Sequence, residues 1–471
     1  MEENYDFDFS EDPKFSVERY EEMIRNKDQY FFDSQAFEGI IDFYIEKNDP
    51  IKALQVVDYA VNQHPYAVPF LIKQAQLYIL VSKIDLAFDS LHKAEMLDPS
   101  EVDIYLIRGG VLSTLERYDE AMGELNRAMD IAENPIEVHL QIAMMLQGKG
   151  DFEEAIVHLK KSLECDMENQ DALYELAFCY DVLDKQAESI SFYLQYIDND
   201  PYSYAAWYNL GNAYHKLEQY EKAIDAYDYA IIIRENFASA YFNKGNALVN
   251  IGKFEEAIVI YKETFEFEPP NADTYCAIGE CYEKLDQMQL ARSFYKKAVK
   301  LDSKLADAWF GIGVTLDFET RYFESLYYYR KALHLDEANP DYWFAIADAQ
   351  YKLKQIAEAE IAYQHVVELN PIDVDAWLDY SSIIYEQRKL DEAIGIISEA
   401  IKCNPDAAEL YYRMVAYMFA AGKYNDALNY LDVALNLNVE KHHILFEYLP
   451  QLQDNKIIIE IIKKYTEQSS G

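Results

Sequence analysis

Residues 206–230 read AWYNLGNAYHKLEQYEKAIDAYDYA. Trp207, Leu210, Gly211 and Tyr214 fall on one face of a first helix, and Ala223, Tyr227 and Ala230 on one face of a second. A glycine inside a helix costs about 1 kcal/mol against alanine, so Gly211 needs a reason outside its own helix. Moving forward by 34 residues gives Tyr241, Gly245, Leu248, Ala257 and Tyr261, and a further 34 gives Tyr275, Gly279, Tyr282, Ala291 and Tyr295. The frame runs without a slip back to Ser34 and forward to Ala434, so twelve repeats fill residues 34–441. All four tryptophans (Trp207, Trp309, Trp343, Trp377) take the fourth place of their repeats. The twentieth place is Ala or Ser in every repeat, from Ala53 to Ala427.

The pattern W-x2-L-G-x2-Y…A-x3-F/Y…A…P resembles the tetratricopeptide repeat, and the resemblance covers nearly the whole chain. It implies an all-α TPR solenoid, a right-handed superhelix of helical hairpins, with about 24 helices and essentially no strand. Small residues at the eighth place (Ala75, Gly109, Gly211, Gly279, Gly313) and the twentieth let the two helices of a hairpin approach closely. Helix breaks recur at Asn370-Pro371 and Asn404-Pro405. Residues 1–13 read as a disordered acidic tail and residues 14–33 as an N-terminal capping helix, with Ser16 as N-cap and Val17, Tyr20 and Ile24 on the buried face. Residues 442–471 read as C-terminal capping helices broken at Pro450, with Ile457, Ile458, Ile461 and Ile462 covering the last repeat. The tyrosine-, isoleucine- and asparagine-rich style resembles bacterial members of the family.

Composition narrows the function classes. Apolar residues make up 51% of the chain, with only 15 Gly and 13 Pro, which excludes a disordered or collagen-like protein. The net charge of −42 is spread along the repeats, opposing nucleic acid and anionic membrane and favouring neutral or cationic partners. No apolar run approaches the roughly 20 residues that span a bilayer. The opening MEENYDFDFSED holds six acids, no base and no apolar core, unlike a secretory signal. Five cysteines without a C-x-x-C pair point to a reducing, cytoplasmic setting.

The expectation is a non-enzyme with no cofactor and no metal. "GIG" at 311–313 sits inside a repeat helix rather than after a strand, and no P-loop, H-E-x-x-H or G-x-S-x-G is present. Adjacent His442 and His443 point to different helix faces, and Cys276 and Cys281 are spaced for packing rather than for a shared zinc.

In the family's geometry the first helices line a groove, and the second, fifth, sixth, ninth and twelfth places face it. The fifth-place residues Tyr174, Tyr208, Phe242, Phe310 and Phe344 form an aromatic ladder suited to peptide side chains. Asn209, Asn212, Asn243 and Asn246 offer carboxamides that could hold a peptide backbone, as asparagines do in some members. Glu280, Glu283, Asp317 and Asp348 make the C-terminal half of the groove acidic, with Tyr351 beside them. Members that grip a C-terminal carboxylate use Lys and Arg on the first helices, whereas here Lys73 and Arg413 stand singly. The resemblance thus implies a protein-interaction scaffold or assembly factor that binds an extended, basic or neutral peptide. A self-assembling structural protein and a regulatory peptide-sensing adaptor are the alternatives, and the oligomeric state is left open.

Overall fold

The computed structural model describes residues 13–469. It packs as two bodies, one up to Glu235 and one from Asn236. The N-terminal body contains α1 (Pro13–Asn26), α2 (Ser34–Glu46), α3 (Pro50–Gln63), α4 (Val68–Leu80), α5 (Ile84–Leu97), α6 (Val102–Thr114), α7 (Tyr118–Ile131), α8 (Ile136–Lys149), α9 (Phe152–Cys165), α10 (Gln170–Val182), α11 (Gln186–Asn199), α12 (Tyr204–Lys216) and α13 (Tyr220–Ile233). The C-terminal body begins with α14 (Ala238–Asn250), α15 (Phe254–Glu263), α16 (Ala272–Lys284), α17 (Met288–Leu301), α18 (Ala306–Phe318), α19 (Tyr322–Leu335) and α20 (Pro340–Lys352). It continues through α21 (Ile356–Leu369), α22 (Val374–Glu386), α23 (Leu390–Cys403), α24 (Ala408–Ala420), α25 (Tyr424–Leu437), α26 (His443–Tyr448) and α27 (Lys456–Ser469). No strand occurs among the described residues. Every first helix, from α2 to α24, opens on the first place of its repeat, so the 34-residue register holds without a break.

The turn inside each hairpin has one conformation. The fifteenth place has positive φ in all twelve repeats, between 54° and 90°, although only Gly150, Gly252 and Gly422 are glycines. In the first repeat Asn48 N–H donates to Ile45 O and Asp49 N–H to Tyr44 O, both at 2.9 Å. That pair of bonds is the Schellman closure, which satisfies carbonyls the helix end leaves open. Thr320, at φ 60°, adopts it against the preference of a β-branched residue, so the tertiary packing holds the turn.

Gly211 now has its reason. A Cβ there would stand 2.5 Å from Cε1 of Tyr227, and one at Gly245 would stand 2.4 Å from Cε1 of Tyr261. The glycine makes room for the aromatic ring of the twenty-fourth place, which lies across the first helix. The twentieth place closes the same contact, and no residue there is more than 3% exposed. The place-four tryptophans have a second role beyond filling space. Trp207, Trp309, Trp343 and Trp377 each donate Nε1–H to a loop carbonyl six residues earlier, at 2.9–3.0 Å. Each indole therefore fastens the link that enters its repeat. α21 and α23 stop just before Asn370-Pro371 and Asn404-Pro405, as the sequence requires.

The ends differ in detail from the sequence expectation. The tail reading lies outside the described residues except for Pro13, which opens α1. Ser16 is thus inside α1 and buried, not its N-cap. Met23, 1% exposed, completes the face of Val17 and Tyr20, while Ile24 points outward. At the other end Ile458 and Ile462, one helical turn apart, are buried, whereas Ile457 is exposed. α15 is short because Thr264 bonds back to the Tyr261 carbonyl and tightens the last turn, just ahead of Pro269 and Pro270.

Candidate peptide-binding face of the first helices

In the N-terminal body, α10 presents Tyr174, which is partly open to solvent, and α12 presents Tyr208, which is half-buried. The Tyr208 ring leans on Tyr227 of its own hairpin at 5.9 Å. The same pairing recurs in the C-terminal body: Phe242 on Tyr261 at 5.5 Å, Phe310 on Tyr329 at 5.3 Å, and Phe344 on Tyr363 at 5.7 Å. The fifth-place ladder is therefore half sunk into the hairpins, with one flank of each ring left at the surface. Phe344 meets Tyr363 edge-on at 89°, whereas the pairs backed by a glycine at the eighth place meet at 36–49°. At that hairpin the eighth place is Ala347, whose methyl leaves the phenol less room to lie flat.

The asparagines divide. Asn209 is 3% exposed and its amide donates to the Leu173 carbonyl at 3.3 Å. The expectation that it lines an open carboxamide ladder is corrected, because the sixth place of α12 is covered by the preceding hairpin. Asn212 and Asn246, at the ninth place, are half-buried, and each accepts a hydrogen bond from the tyrosine of its own hairpin: Tyr227 at 2.9 Å, Tyr261 at 2.6 Å. The phenol that passes through the glycine gap thus delivers its hydroxyl to the face and sets the asparagine's orientation. Asn243 is half-buried on α14.

Carboxylates dominate α16 to α22, but not in the way the sequence suggests. Asp317 and Asp348 share the ammonium of Lys352, at 2.8 and 2.6 Å. Lys352 occupies the thirteenth place and was missed; its spacing of four residues from Asp348 and 35 from Asp317 was legible in the repeat frame. One ammonium thus offsets half of the charge of these two acids, which corrects their reading as two unpaired negative charges. Tyr351 donates to both oxygens of Glu386, at 2.8 and 3.0 Å.

The negative focus lies on α16 instead. Glu283 accepts the Tyr295 hydroxyl at 2.8 Å, and Glu280 accepts the Cys276 thiol at 3.6 Å. Loss of solvation raises the pKa of both carboxyls; Asp307 adds to the effect at Glu280. Glu280 is exposed and Glu283 half-buried on the same helix. Asp307, on α18, accepts the Tyr342 hydroxyl at 2.5 Å, and Phe310 packs on Tyr342 at 4.9 Å. Tyr295 is gripped from both sides: a Cβ on Gly279 or on Gly311 would meet its ring at 2.7 and 2.4 Å. Farther on, burial raises the pKa of Asp379, and the Arg413 guanidinium opposes that shift. Among the described residues, no group of three or more His, Cys, Asp and Glu is placed to hold a metal.

What these helices define is a hairpin-repeat protein whose first-helix face combines half-open aromatic rings, oriented carboxamides and desolvated acids. Tetratricopeptide repeat family models match residues 136–166, 171–203, 204–237, 238–271, 272–305 and 344–408, and the chain belongs to that family. Proteins of this class act as protein–protein interaction scaffolds. No curated protein matches the sequence. Among solved structures, the chain is similar to YrrB, described as a TPR protein with an unusual peptide-binding site. Identity is 20%, covering 42% of this chain and 97% of that one, with a TM-score of 0.33. It is also similar to MamA (20% identity, 34% of this chain and 95% of that chain, TM-score 0.32). A longer match is to the Cut9–Hcn1 hetero-tetramer of the APC/C (13% identity, 88% and 93% covered, TM-score 0.43). No helix among the described residues is long and apolar enough to cross a membrane.

Proposed function

We propose that this protein is a non-catalytic cytoplasmic scaffold or assembly factor, and that the first-helix face of its C-terminal body holds an extended protein segment of cationic or neutral character. The observation that supports this reading is the pair Glu280 and Glu283 on α16, the first exposed and the second half-buried, neither in an ion pair among the described residues. A Lys or Arg arriving there meets charge that water screens poorly, while Phe242 and Phe310 offer ring flanks to neighbouring apolar side chains. An acidic segment brought to the same place is repelled.

Titration of fluorescent extended peptides into the intact protein tests it. Lys/Arg-containing peptides should bind, and acidic peptides of the same length should not. Glu280→Gln with Glu283→Gln should weaken the basic peptides roughly ten-fold at low salt, with a smaller loss at physiological salt, where the Debye length is about 8 Å. Asp317→Asn with Asp348→Asn should have the lesser effect, because Lys352 already pairs with both acids and offsets half of their charge. Equal binding of acidic peptides, or indifference to the first variant, would overturn the proposal.

A further inference from the structure

The strongest unexplained feature lies on the second helices, away from the face just described. Lys296, Lys297 and Lys300 of α17 occupy the same three places in their repeat as Arg330, Lys331 and His334 of α19 in the next. All six are exposed. None of the five lysine and arginine side chains makes an ion pair among the described residues, in a chain whose net charge is −42. Some cations elsewhere do have carboxylate partners, as Lys185 does with Glu153 at 2.6 Å and Arg108 with Glu95 at 2.8 Å. Five cations without a carboxylate partner at matching places of consecutive repeats set up a positive field, with Lys297 over the Phe294 ring at 4.2 Å and Lys331 over the Tyr327 ring at 5.7 Å.

Aromatic surface lies beside that charge. Phe323 is 72% exposed and Tyr327 57%. Together with Leu326, Arg330, Lys331 and His334 they line a depression of about 420 Å³. A surface of this kind fits a segment that alternates carboxylates with aromatic rings. The chain contains such a segment: residues 1–12, MEENYDFDFSED, with six acids, no base, and Tyr5, Phe7 and Phe9 at alternate positions. In an extended strand those three rings share one side and can enter the depression, with the segment's six carboxylates held in the field of the surrounding cations.

We infer that the basic, aromatic patch of α17 and α19 docks the N-terminal acidic segment of a second copy of this chain. The contact joins two different surfaces, so each copy offers a tail and a patch and association is head to tail.

The test uses the full chain and a synthetic MEENYDFDFSED peptide. Sedimentation should show mass rising with protein concentration, and rising less as salt increases. The peptide should bind the full chain and compete with that association. Lys297→Glu with Arg330→Glu and Lys331→Glu should lower peptide affinity at least ten-fold and leave the protein monomeric. Phe7→Ser with Phe9→Ser in the tail should do the same to association while leaving the patch able to bind the peptide. Mixing the two variants should restore pairing, because one supplies the intact tail and the other the intact patch. A full chain monomeric at all concentrations, association indifferent to both variants, or no pairing in the mixture would each overturn the inference.

Discussion

A methyl group added to Gly211 would stand 2.5 Å from the Tyr227 ring, whereas one added to Gly123 or Gly395 would meet nothing within 4 Å. All three glycines lie inside helices. Substitution by alanine should therefore act with opposite signs. Gly123→Ala and Gly395→Ala remove the helix cost of glycine and should stabilise by roughly 0.5–1 kcal/mol. Gly211→Ala gains the same propensity but forces the phenol out of place, and overpacking of this kind costs roughly 1–3 kcal/mol. Hydrogen exchange in α12 and α13 should show a net loss for Gly211→Ala, with the Tyr227–Asn212 bond weakened. A stabilised Gly211→Ala would show that the ring can shift freely. At this scale the sequence announced that Gly211 was special, and the structure supplied the partner. The distinction between Asn209 and Asn212 was not legible: both are asparagines on one helix, and only the neighbouring hairpin determines which is covered.

Within one hairpin, α8 and α9 place two histidines at the fourth and twenty-third places, where some other hairpins place two aromatic rings. Elsewhere those places hold Tyr275 against Phe294 and Trp309 against Tyr328. Here His139 and His158 face each other with Nδ1 atoms 3.0 Å apart, an arrangement in which one donates and the other accepts. Burial, with the neighbouring His139 and Lys161, pushes the His158 pKa down to about 4, and burial with Lys161 also lowers that of His139. Below pH 6.5 the unfolded chain therefore binds protons at these two rings more readily than the fold does. Their contribution to stability is complete above pH 6.5 and is lost as pH falls from there towards about 4. The expected loss is roughly 2 kcal/mol. Hydrogen exchange in α8 and α9 at pH 7 and pH 4.5 should show it, and His158→Phe should flatten the difference. If wild type and variant soften equally between those values, the pair does not govern the acid response.

Across the molecule, buried side chains gather in successive clusters rather than one core. In the C-terminal body, one cluster centres on Ile312 and Leu316, another on Tyr329 and Ala359, and a third on Val415 and Leu431. A hairpin array held by neighbour contacts should lose stability locally. Ala291, which is 0% exposed at the closest contact of α16 and α17, provides a clean probe. Ala291→Leu should cost roughly 1–3 kcal/mol by overpacking. Its loss of exchange protection should centre on residues 238–339 and fade towards α24 and α25. An even loss along the whole C-terminal body would mean that its repeats unfold as one unit. The charge of −42 acts at this scale too, setting a field that favours cationic segments.

The sequence by itself determined the helices, their register and their pairing. A 34-residue period with Ala or Ser at every twentieth place and breaks before Pro371 and Pro405 admits one hairpin per repeat, because local propensity and apolar spacing agree throughout. Where the charges stand was not legible in the same way. The sequence places Asp317, Asp348, Glu280 and Glu283 on equivalent helices and counts them alike. Tertiary structure alone brings Lys352 between the first two, and brings Tyr295, wedged between Gly279 and Gly311, against Glu283. The physical reason is range: helix formation is decided within a few residues, whereas the state of a carboxylate depends on solvent and counter-charge within a few ångströms, supplied here by side chains from other helices.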